Sequence, residues 1–93
     1  MTYRIYLADD EKNIRELLKN FLQSDGYEAR AFETGDLLLS AFEEEPVDLV
    51  ILDVMMPGRD GIECVKELRK HSAVPIILLT AKDGELDYVN GIT

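Results

Sequence analysis

Cysteine is almost absent from this chain of 93 residues, with Cys64 alone, and tryptophan is missing altogether. A lone thiol excludes an internal disulfide framework and fits a reducing compartment, so a cytoplasmic location is expected. Long apolar runs are missing too. None approaches the ~20 residues that a membrane-spanning helix needs, and the N-terminus lacks the pattern of a secretory leader. Cations are scarce: 10 Lys and Arg face 19 Asp and Glu, a formal net charge of -9. A surface this acidic repels phosphodiester backbones, which speaks against direct nucleic-acid binding by this segment. No repeat, linker or low-complexity stretch divides the chain, and its length suits one domain, residues 1–93.

What is present is a 46% hydrophobic composition, laid out in alternating strand and helix patterns. Arg4 to Ala8 reads as a short strand that stops at Asp9-Asp10-Glu11. Ile14, Leu17, Leu18, Phe21 and Leu22 then recur with helical spacing as one apolar stripe, and Gly26 sits where a helix C-terminus wants glycine. Tyr27 to Phe32 alternates, with Tyr27, Ala29 and Ala31 on one face and Glu28 and Arg30 on the other, as a half-exposed edge strand does. Thr34 is placed to cap a second helix carrying Leu37, Leu38, Ala41 and Phe42, which Pro46 ends. The continuous run Leu49-Val50-Ile51-Leu52 suits a strand buried on both faces. Asp60 and Glu63 are spaced as a capping box, opening a third helix with Ile62, Val65 and Leu68 inward. Pro75 precedes a fourth strand, Ile76 to Thr80, and residues 85–90 read as the start of a fourth helix.

This order predicts an α/β fold with an open parallel sheet and helices on both faces. The alternating second strand belongs at an edge and the first and third inside, which gives the strand order 2-1-3-4. The residues with chemical potential then gather on one rim. Asp9 and Asp10 end the first strand, Asp53 the third and Thr80 the fourth, around the crevice where strand order reverses. Clustered carboxylates repel one another, and an oxygen-only ligand set with room for water favours Mg²⁺. Such an ion would let Asp53 act as a nucleophile toward a phosphoryl group, with Thr80 donating a hydrogen bond to a phosphoryl oxygen. Plainer readings exist for each group. An isolated Asp10 would serve as a helix N-cap, a reading that the doubled acid and Asp53 weaken, while Thr80 suits an ordinary strand end and Asp60 and Asp83 suit caps. Met55 and Met56 suit loop and core packing, His71 a helix C-terminus, and Cys64 an inert thiol.

Asp9-Asp10-Glu11 after a strand, then Leu49 through Asp53-Val54-Met55-Met56-Pro57-Gly58-Arg59-Asp60-Gly61, then Pro75 through Thr80-Ala81-Lys82 together resemble the receiver domain of bacterial two-component response regulators. The resemblance runs the length of the chain, in order and at family spacing. It implies the flavodoxin-like fold, with Asp53 as the phosphorylated aspartate. It also implies a Mg²⁺ held directly by Asp10, through water by Asp9, and by the backbone carbonyl of Met55. Pro57 and Gly61 would shape the adjoining loop and Thr80 would be the switch hydroxyl. The phosphoryl donor would be a phosphohistidine on a sensor histidine kinase, and the output would be transcription control through a separate DNA-binding domain.

The family pattern continues through a fifth strand, bearing an essential lysine and a switch aromatic, and a fifth helix. The resemblance therefore implies a receiver truncated before these parts. Lys82 matches a different family position and does not replace the lysine, so binding of Mg²⁺ with impaired phosphorylation is expected. Ile76 to Leu79 is expected to be a bare edge strand, which implies a homo-oligomer through that edge or by segment exchange. Two other functional classes compete. One is an enzyme with an aspartyl-phosphate intermediate, for which adjacent Asp9-Asp10 is the wrong spacing. The other is a non-catalytic, self-associating assembly module or folding-study fragment.

Overall fold

The structure is a computed structural model that describes residues 2–79 and the backbone of 86–89. Eight elements follow in order: β1 (Arg4–Ala8), α1 (Lys12–Ser24), β2 (Glu28–Phe32), α2 (Gly35–Glu44), β3 (Leu49–Asp53), α3 (Gly61–Arg69), β4 (Ile76–Leu79) and β5 (Leu86–Val89). They build one sheet of order β2-β1-β3-β4-β5. The first four strands are parallel, in the 2-1-3-4 order of a flavodoxin-like sheet.

Alternation along the strands divides the core in two. Tyr6, Ala8, Val50, Leu52, Ile76 and Leu78 face Leu38 and Phe42 of α2 and Cys64 and Leu68 of α3. Ile5, Leu7 and Ile51 face the other way, against Leu18 and Leu22 of α1. The strands with continuous apolar runs thus sit inside, while Glu28 and Arg30 of β2 stay exposed at an edge. Full burial of one such aliphatic side chain is worth about 1.5–3 kcal/mol. The sheet interior, led by Leu7, Val50 and Leu52, is therefore the main source of stability.

Local signals placed the helix ends well. Thr34 Oγ1 accepts from Leu37 N–H at 3.2 Å. Asp60 and Glu63 form the reciprocal capping box, and Gly26 follows α1 with a φ of 97° that glycine alone adopts cheaply.

Three expectations need correction. Of the α1 stripe only Leu18 and Leu22 pack on the sheet, whereas Leu17 and Phe21 are 67% and 68% exposed and Ile14 is exposed as well. A single helix on a flat sheet buries a narrow strip, and α2 and α3 both lie on the opposite face. By the same geometry Leu37 and Ile62 are exposed, and Cys64 rather than Ile62 faces the core from α3. Finally, residues 85–90 do not start a helix within the described residues. Leu86–Val89 is a strand, antiparallel to β4. The N–H and C=O groups along β4 offer this segment a ladder to join. The β4 edge is consequently paired with β5 rather than bare.

Candidate functional site

The register of the central strands makes the site. Ala8 lies opposite Leu52 in the parallel β1–β3 pair, so the next residues, Asp9 and Asp53, come out side by side at the carboxyl rim. Asp9 N–H donates to Phe32 C=O at 3.2 Å, which ties the same rim to β2. Asp9, Asp10 and Asp53 each offer a carboxylate oxygen, and these oxygens lie within 4.8 Å of one another. Among the described residues Asp9 and Asp53 are the buried charged ones, 2% and 7% exposed, while Asp10 is exposed.

Each buried carboxylate is steadied by the backbone that follows it. Glu11 N–H donates to Asp9 Oδ1 at 2.9 Å, and Met55 N–H donates to Asp53 Oδ1 at 3.1 Å. One oxygen of each is thereby fixed and the other is left for a further ligand. Asp10 is not the N-cap of α1. That place falls to Glu11, whose side chain makes no cap hydrogen bond.

Burial pushes the Asp53 carboxyl from 3.8 up to about 6, the Met55 N–H opposes this, and the Asp9 and Asp10 charges add to it. Burial is the main cause of this shift, and the neighbouring carboxylates add a repulsion that a cation would relieve. A divalent ion is the natural complement: the donors are all oxygen, two are pre-set by hydrogen bonds, and Asp10 at the solvent side leaves room for water. The residues fit Mg²⁺.

Beyond the acids, the loop from Val54 to Asp60 is tightly laid. Val54 N–H reaches Leu79 C=O at 2.9 Å and Gly61 N–H reaches Val54 C=O at 3.1 Å. A Cβ at Gly61 would stand 2.5 Å from the Asp53 carbonyl oxygen, so only glycine fits there. Gly58 takes a φ of 75° in the same loop. Met55 turns its side chain to solvent and Met56 packs in the core. Thr80, Lys82 and Asp83 lie outside the described residues. Sequence reasoning passed over Arg15, whose Nη1 donates to the Asp9 carbonyl at 2.9 Å. The available signal was direction: helical side chains lean toward the N-terminus, and Arg15 stands in the first turn.

Residues 5–93 match the family described as response regulator receiver domain. Among solved structures, the response regulator protein TrrA from Thermotoga maritima, in complex with Mg(2+)-BeF, is 51% identical with a TM-score of 0.81, over 87% of this chain and 70% of that one. The same regulator in complex with histidine kinase ThkA matches with a TM-score of 0.80. The chemotaxis protein CheY4 of Vibrio cholerae is 32% identical with a TM-score of 0.84, over 88% of this chain and 71% of that one. With its sheet order, its acidic rim and this match in agreement, the chain belongs to the receiver domains of two-component response regulators, which carry phosphoacceptor signalling.

Proposed function

We propose that Asp53 is the phosphoacceptor of this receiver and that Asp9, Asp10, Asp53 and the backbone carbonyl of Met55 hold a Mg²⁺ beside it. The convergence of three carboxylate oxygens within 4.8 Å at the rim carries this reading. When bound, Mg²⁺ supplies the positive charge that balances the carboxylates and grips a phosphoryl oxygen. Asp53 then uses its carboxylate oxygen on phosphorus: the O–P bond forms as the P–N bond of a phosphohistidine breaks, and the imidazole nitrogen takes up a proton. Met55 N–H keeps the other Asp53 oxygen in place during transfer. Thr80, which directly follows β4, is proposed as the hydroxyl that bonds the transferred group.

A sensor histidine kinase is the proposed donor, supported by the relative solved in complex with one. Ile14, Leu17 and Phe21 offer that partner an exposed apolar strip on the helix that follows the acidic turn. Within a longer parent, control of transcription through a DNA-binding domain is proposed from the style of the segments alone. A cytoplasmic site of action accords with the lone cysteine, and among the described residues no helix is long and apolar enough to cross a membrane. Unit 1–93 is taken as one receiver domain, and homo-oligomer formation by exchange of the C-terminal segment is retained as a proposal.

Prolonged incubation with acetyl phosphate, read by intact mass, tests the core of this reading. The expected result is a gain of one phosphoryl mass that requires Mg²⁺ and is lost in Asp53→Ala. Equal labelling of Asp53→Ala would overturn it.

A further inference from the structure

The Asp9–Asp10 turn is fastened at three points. Asp9 N–H holds Phe32 C=O, Asp9 Oδ1 accepts Glu11 N–H, and Asp9 C=O accepts Arg15 Nη1. The first two set the strand end and the Asp9 side chain. The third acts on the peptide unit that joins Asp9 to Asp10. Rotation of that unit about its flanking backbone dihedrals swings the Asp10 Cα–Cβ bond, the base from which the side-chain torsions aim the carboxylate. Asp10 is exposed, and the carboxylates of Asp9 and Asp53 that lie within reach of it repel rather than hold it, so its aim leans on this peptide.

Arg15 is well built for the task. Its own N–H is committed to Glu11 C=O at 2.9 Å, which seats the residue in the first turn of α1. Its side chain is half-buried and lies back along the helix toward the turn. Among the described residues it makes no ion pair with a carboxylate, so the carbonyl bond is its defined polar contact.

From this we infer that Arg15 is a positioning residue of the metal site, fixing the Asp9–Asp10 peptide so that Asp10 is aimed at the cation. The inference rests on the metal reading proposed above. Partners that orient a metal ligand from behind typically change metal affinity by about 10–100-fold when removed. The opposing effect is charge: Arg15 is a cation, and its loss alone would favour Mg²⁺. Orientation and charge therefore predict opposite signs.

Calorimetric titration of Mg²⁺ into the full chain separates them, using wild type, Arg15→Gln and Arg15→Lys. Lysine keeps the charge but ends short of the Nη1 position and lacks the planar fork. Both variants are expected to bind Mg²⁺ about tenfold more weakly, with unchanged metal-free melting temperatures. At saturating Mg²⁺ their rates of phosphorylation by acetyl phosphate should return to the wild-type rate. Tighter binding by Arg15→Gln with no change in Arg15→Lys would make Arg15 a mere charge and overturn the inference. So would unchanged affinity in both, whether or not the melting temperature falls. Rates that stay low at saturation would place Arg15 on the phosphoryl group itself and overturn a positioning role. An absence of Mg²⁺ binding by wild type would instead bring down the site reading, and this inference with it.

Discussion

Asp53 carries a conflict that its neighbours do not resolve. It is buried beside two other carboxylates, and its carboxyl is raised from 3.8 to about 6, chiefly by burial. Between those values the folded chain holds a proton that the unfolded chain has released. Stability of the metal-free protein therefore falls as pH rises across this window and stays lower above it. Asp53→Asn keeps the shape and removes the charge. Its melting temperature is expected to exceed that of wild type near pH 7 by several degrees, with partial solvent screening limiting the gain. The difference should vanish below the lower end of the window. Thermal unfolding by circular dichroism in chelator at both pH values checks this, and added Mg²⁺ should raise wild type above the variant. At this scale the sequence was informative. A doubled acid after one strand and an acid after another identify the carboxylates, because an apolar strand running into a charge needs a reason. Arg15 was not legible, since its contact depends on how α1 leaves the turn.

At the scale of elements, the strongest coupling joins α3 to the end of β3. The capping box of Asp60 and Glu63 secures the first turn of α3, and Gly61 lets that turn approach the Asp53 carbonyl. These two devices are separable. Asp60→Ala is expected to reduce stability by about 1 kcal/mol and leave Mg²⁺ affinity as it was. Gly61→Ala forces the Asp53 backbone aside, so it should reduce stability and weaken Mg²⁺ binding together. Urea denaturation paired with calorimetry distinguishes the two patterns. Helix ends were legible because caps act over a few residues. The buried face of α1 was not: periodicity marks every apolar position on the stripe, whereas contact with the sheet selects only Leu18 and Leu22.

For the molecule as a whole, two surfaces set its behaviour in solution. The net charge of -9 opposes association between copies, most strongly at low salt. The exposed strip of Leu17 and Phe21 favours it, and β5 on β4 is a segment open to exchange. Because β5 joins as an antiparallel edge strand, a neighbouring copy could supply the same segment. Light scattering over a concentration series should show a dimer that grows with salt, as screening removes the repulsion. A monodisperse monomer at high concentration and high salt would exclude segment exchange.

The sequence by itself determined the first four strands, the place of the second at an edge and which acids end the interior strands. Period and charge placement are local properties, and they survive without knowledge of contacts. Tertiary structure alone decided the rest: that Asp9 and Asp53 stand side by side through the β1–β3 register, that Arg15 reaches the Asp9 carbonyl, and that Leu86–Val89 pairs with β4 instead of coiling. Each of these depends on what another part of the chain offers, an aligned strand, a carbonyl or an open edge. Such partners, distant in sequence, are brought together only when the sheet is assembled.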